Sequence, residues 1–120
     1  MNASEIITID AKHRGVDPEL LLRIIHRDLK SGEAILLMHG KTVLFVRRIG
    51  PGMAEPHLFS QDNAHGLVSA IKHFAHEFHT KDVHMLYINP DGPEILNLLR
   101  AVGEQVHPSN NPKYKVMVPV

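Results

Sequence analysis

Between Met53 and Gly103 the hydrophobic period changes from strand to helix and back, and that change constrains the fold more than any other stretch of the chain. Ala54 to Ser60 reads as a short strand and Gln61 to Gly66 as a polar loop closed by glycine. Leu67 to Phe78 carries its large apolar residues at helical spacing. Val83 to Ile88 is a second strand, stopped by Asn89-Pro90-Asp91-Gly92-Pro93. Strand, helix and strand joined by short connections make a βαβ unit with parallel strands and the helix across one face. At about 100° per residue, Leu67, Ile71, Phe74, Ala75 and Phe78 fall within roughly 100° of one another. Lys72, His73, His76 and His79 point the other way, so the histidines are expected on a solvated back.

The flanking segments add strands and helices to this unit. Glu5 to Asp10 alternates enough to predict a first strand, followed by a turn at Ala11 to Gly15. Asp17 stands at an N-cap position, with Pro18 at the first helical position and Glu19 in the first turn. The helix that follows should bury Leu21, Ile24, Ile25 and Leu29, expose Arg23, Arg27, Asp28 and Lys30, and end at Ser31-Gly32. Glu33 to His39 and Thr42 to Ile49 flank Gly40-Lys41 as a hairpin, and Ala54 to Ser60 returns as a third antiparallel strand after Gly50-Pro51-Gly52. Beyond the βαβ unit, Pro93 and Glu94 open a helix with the stripe Ile95, Leu98, Leu99 and Val102, ended by Gly103. Strands at Gln105 to His107 and Tyr114 to Val118 close the chain across a Pro-Ser-Asn-Asn-Pro loop. The expected order is β-α-β-β-β-α-β-α-β-β, an α/β arrangement built on a mixed sheet, with residues 1–120 as a single domain.

Composition narrows the function classes. The 120 residues suffice for one core, and 43% hydrophobic and 22% charged residues are the balance of a soluble globular protein. No apolar run approaches the ~20 residues that span a bilayer, and MNASEIITID does not read as a signal peptide, so neither membrane insertion nor secretion is expected. The absence of cysteine excludes disulfides and thiolate chemistry. Thirteen basic and thirteen acidic residues give no excess charge for binding nucleic acid. Among ten histidines there is no zinc signature, and His73, His76 and His79 drift by about 120° around their helix, so no metal site is expected.

The predicted order, with its hairpin and third strand leading into loop, helix, strand and helix, resembles the GNAT-type acyl-CoA N-acyltransferase fold over nearly the whole chain. That resemblance implies that Gln61-Asp62-Asn63-Ala64-His65-Gly66 stands where the family has Gln/Arg-x-x-Gly-x-Gly/Ala, the loop that holds the coenzyme's pyrophosphate on backbone N–H groups. Gln61, Asn63, Ala64, His65, Gly66 and Leu67 are then the cofactor-binding candidates. Ala64 adds a Cβ where the backbone should approach phosphate and resists positive φ, and Asp62 brings a like charge. Aligning on Gly103 puts Leu99 at the position of the family's acid tyrosine. Glu55 stands near the place of the glutamate that accepts the amine's proton, and His57 shares its strand face, which makes these two the catalytic candidates.

With its short length, worn loop and missing tyrosine the chain is also similar to GNAT-like proteins of tailed bacteriophages. This second resemblance implies a protein without catalysis or cofactor that works by protein contacts, as a virion-associated or assembly protein. It would sit in the virion or host cytoplasm, with virion proteins as partners and self-association left open. The alternative is a small acetyl-CoA-dependent N-acetyltransferase, and a third reading is a module that binds a nucleotide or acyl-CoA without turnover.

Overall fold

The computed structural model describes residues 1–120. Four helices, α1 (Ala3–His13), α2 (Pro18–Ser31), α3 (Ala64–Phe78) and α4 (Glu94–Ala101), cover the two faces of one sheet. Its strands are β1 (Ala34–His39), β2 (Thr42–Gly50), β3 (Met53–Ser60), β4 (Met85–Ile88), β5 (His107–Pro108) and β6 (Val116–Pro119). They lie in the order β1-β2-β3-β4-β6-β5, and every neighbouring pair is antiparallel except β3 and β4. The mixed α/β class expected from the sequence is the observed one.

One expected element is of the wrong kind. Glu5 to Asp10 is helix, because Asn2 and Glu5 form a capping box in which the Asn2 side chain accepts from the Glu5 N–H at 2.9 Å. Ile6, Ile7, Asp10 and Ala11 are the buried residues, a spacing of one and four that no strand produces. In α2 the cap Asp17 and the terminal Gly32 at φ 80° are as expected, but the buried stripe is rotated. Asp28 is buried beside Arg27, and Ile24 is 38% exposed. The last strands are shorter and shifted, which leaves Tyr114 in the loop before β6.

Strand alternation divides the core. Leu44, Val46, Ala54, Leu86 and Val118 face α3 and α4, where Ala70, Ile71, Phe74, Phe78 and Leu99 complete one cluster. Val43, Phe45 and Phe59 face Ile6, Ile7 and Ile25 of α1 and α2 on the other side. Burying Phe74 and Phe78 contributes about 1.5–3 kcal/mol each, which holds α3 across the βαβ crossover. No helix is long and apolar enough to cross a membrane.

The sheet is split at its only parallel pair. β3 and β4 pair at Met53 with Met85 and at Ala54 with Leu86, and not beyond. Past that point the strands diverge, and the fork between them opens the sheet from face to face.

Candidate active site

Glu55 is the first residue of β3 beyond the closed end of the fork, and it gathers three side chains. Register sets Arg47 directly opposite on β2, with Nη2 3.2 Å from Oε1. Two residues along the same strand face, His57 brings Nε2 to 2.5 Å from that oxygen. The third is Tyr114, whose hydroxyl donates to Oε2. Tyr114 reaches the site because Asn89, at the end of β4, bonds the Lys113 carbonyl and the Lys115 N–H, both at 2.8 Å. The Tyr114 ring lies 5.6 Å from that of Tyr87, whose hydroxyl donates to Asn110.

Burial pushes the Glu55 carboxyl upward, but the bonds from Tyr114 and His57 and the charges of His57 and Arg47 outweigh it. The net result lies below the ordinary 4.5. Tyr114 moves the other way, raised above 10.0 by burial and then by the bond and charge of Glu55. So Glu55 is an anion and Tyr114 a neutral donor across the physiological range.

A cavity of about 480 Å³ fills the fork. His57 lines it, together with Pro56 and Leu58 of β3, Leu86 and Ile88 of β4, and the inner faces of α3 and α4. Glu55 and Tyr114 do not line it, so His57 is the member of the cluster that meets whatever enters. The two catalytic candidates read from the sequence therefore sit together, His57 at the cavity wall and Glu55 behind it. Tyr114 and Arg47 were missed: the contact of Tyr114 spans 59 residues, whereas the register of the hairpin and third strand could have found Arg47.

The loop from Gln61 to Gly66 is built differently from the expectation. Asp62 turns to the β1–β2 hairpin, accepting from the Lys41 N–H at 2.9 Å and the Thr42 hydroxyl at 2.7 Å. Ala64 is the first residue of α3 and has no positive φ, so its Cβ brings no strain. Gly66 has a local reason, since a Cβ there would stand 2.8 Å from Asp62 Oδ1. Two expected donors are engaged: Gly66 N–H bonds the Asn63 side chain and Leu67 N–H the Asn63 carbonyl. Gln61 bonds the Ser60 carbonyl with its own amide. The N–H groups of Asn63, Ala64 and His65 have no partner in the chain and stand at the positive end of a helix of 15 residues. Three open amides that face solvent fit a diphosphate, while Asp62 spends only its Oδ2 on the hairpin and keeps Oδ1 beside Gly66 as a like charge.

His39 stacks on His73 with ring centroids 4.4 Å apart, and no cluster of three metal-ligating side chains exists.

No protein-family model matches the sequence, and no curated protein matches it. Solved structures do. A ribosomal-protein-alanine N-acetyltransferase from Brucella melitensis aligns with a TM-score of 0.54 at 12% identity, over 86% of this chain and 76% of that one. A spermidine N-acetyltransferase chimera from Vibrio cholerae aligns at 0.59 and 9% identity, over 99% and 91%. A second spermidine N-acetyltransferase from Vibrio cholerae, carrying a single substitution, aligns at 0.52 and 11% identity over 86% and 73%. The fold is therefore the GNAT-type acyltransferase fold, as the sequence resemblance implied.

Proposed function

We propose that the chain is a small N-acyltransferase that moves an acyl group from a coenzyme A thioester to an amine. The observation that carries this reading is His57, which lines the fork while a carboxylate grips its Nε2. Glu55 itself is a poor base, because three donors hold it ionised and low in affinity for a proton. As an anchor it is well suited. With Nε2–H donating to Glu55, the imidazole keeps its lone pair on Nδ1, and that nitrogen takes the proton an amine must lose as it attacks. Arg47 and Tyr114 keep the Glu55 carboxylate charged and still.

A bound coenzyme A thioester would supply an acyl carbonyl already activated toward nitrogen. Asn63, Ala64 and His65 would hold its diphosphate on their open amides. Leu99 stands where the resemblance places an acid tyrosine, and expelling a thiolate, whose pKa is about 8.5, needs less protonation than expelling an alkoxide.

The phage-scaffold reading rested on the short chain, the worn loop and the missing tyrosine. With Ala64 helical and one Asp62 oxygen bonded to the hairpin, the loop is less worn than its sequence suggested. The test is thiol release from coenzyme A thioesters with a panel of amines. His57→Ala should lower kcat/KM by about 10²-fold or more while lowering the melting midpoint by only a few degrees, because His57 is exposed and Glu55 keeps its bonds from Arg47 and Tyr114. No turnover by the unaltered chain with any thioester and amine, and no rise in its midpoint with acetyl-CoA, would overturn the reading.

A further inference from the structure

We infer that the acyl group this chain accepts is a linear alkyl chain longer than acetyl, seated in the part of the fork cavity between α3 and α4; this rests on the acyl-transfer reading above. The wall there is hydrocarbon: Ile71, Phe74 and Phe78 from α3, Leu99 from α4, and Leu86 and Val118 from the sheet. The polar lining residues are His57 on β3, Arg14 just past α1, Asn89 and Asp91 before α4, Glu94 at its first position and Glu104 beyond its end. From the level of Ile71 to that of Phe78 the hollow runs seven residues along α3, roughly 10 Å.

The chemistry of the wall selects the occupant. A pantetheine arm carries amides, and an amide pressed against this wall would lose water without gaining a partner. On the β3 edge, two of the groups an arm would pair with are already taken: the Leu58 carbonyl by Arg14 at 3.2 Å and the Ser60 N–H by Asp10 at 3.1 Å. An alkyl tail asks for no partner. Leu99 extends the argument, because a hydroxyl at its position would place a polar group in this wall. Its 9% exposure shows that the leucine is part of the packing around the hollow. An acetyl group would leave most of the wall uncovered and forfeit its dispersion contacts.

The experiment pairs turnover with binding. Thiol release is measured for acetyl-, butyryl-, hexanoyl-, octanoyl- and decanoyl-CoA with a fixed amine, and the melting midpoint is followed with sodium octanoate and sodium acetate. We expect kcat/KM to rise by about two- to fourfold per added methylene up to hexanoyl or octanoyl, and octanoate but not acetate to raise the midpoint. Leu99→Trp should cancel both effects and move the preference back to acetyl. Should that variant fail to fold, Ala75→Phe, on the half-buried flank of the same hollow, makes the same test. Equal or better turnover of acetyl-CoA, with no response to octanoate, would overturn this inference and leave the transfer reading in place. Octanoate binding that Leu99→Trp abolishes, without turnover of any thioester, would uphold the alkyl site and remove the transfer reading. Neither binding nor turnover would overturn both.

Discussion

Replacing Glu55 with Gln tests the site with almost no change of shape. Three donors meet on the carboxylate: Tyr114 Oη, His57 Nε2 and Arg47 Nη2. A carboxamide offers one oxygen and an NH₂ group that itself donates, so at least one of the three must face a donor, and the charge opposite Arg47 disappears. A bond to a charged group contributes about 1.5–3 kcal/mol, and leaving a partner unpaired costs a similar amount. The Arg47 side chain is 42% exposed and that of Glu55 16%, so screening lowers the expectation to about 1–2 kcal/mol. At this length that is a fall of roughly 3–10 °C in melting midpoint. Turnover should fall by about 10²-fold, because His57 remains but is no longer held in one tautomer. The pH dependence supplies a second reading of the same variant. Glu55 has its folded pKa below 4.5, so its stabilisation is complete above that value and is lost as pH falls through the folded pKa. The difference in midpoint between the two proteins should therefore be present above pH 4.5 and close as pH falls through the folded pKa of Glu55. A Gln variant with full turnover and an unchanged midpoint at pH 7, or a gap that persists in strong acid, would refute the reasoning.

The other expectations are shorter. Tyr114→Phe should lose about 1 kcal/mol in urea unfolding at neutral pH. With its raised pKa, Tyr114 stabilises the unaltered protein below pH 10.0 and ceases to as pH rises through its folded pKa, so the difference should shrink in alkali. Gly66→Ala should cost about 1–2 kcal/mol, because the new methyl must displace Asp62 from Lys41 and Thr42, and Asp62→Ala should remove most of that penalty in a double-mutant cycle. Asn63→Ala should cost about 1 kcal/mol as a lost cap; a loss below 0.3 kcal/mol would mean that water serves Gly66 N–H equally well.

What the sequence made legible follows from how local each signal is. The βαβ unit, the hairpin at Gly40-Lys41 and the capped start of α2 rest on periodicity and turn chemistry within a few residues, and they are of the kind and order expected, although α3 starts at Ala64 inside the expected loop and β4 starts at Met85 and not at Val83. The misread first element was local too, for Asn2-x-x-Glu5 is a helix-start pattern, but the alternation in Glu5 to Asp10 was read as that of a strand. Burial of α1 against β2 and β3 is what decides the matter, and that is a tertiary effect. In the site, Glu55 and His57 share a strand face by simple alternation, which a sequence shows. Tyr114 depends on a loop held by Asn89 and Arg47 on a pairing between strands, so neither is visible until strands are placed beside one another.

A split sheet exposes the backbone of the strand at its break, and the way this chain satisfies that edge explains residues that otherwise look unrelated. Register turns the polar groups of Glu55, His57 and Phe59 toward β2 and those of Pro56, Leu58 and Ser60 toward the fork. Pro56 has no N–H to leave unpaired. The Leu58 carbonyl accepts from Arg14, the Ser60 N–H donates to Asp10, and the Ser60 carbonyl accepts from Gln61. Asp10 and Arg14 are themselves paired at 2.7 Å one turn apart on α1, so the helix that was mistaken for a strand serves the edge that a further strand would have covered. Because these side chains replace a ladder, β4 is free to diverge, and the space it vacates is the cavity that His57 faces. The edge at the fork is thus satisfied in part by α1, and any change that detaches Asp10 from Ser60 should act on the site through β3 without touching His57.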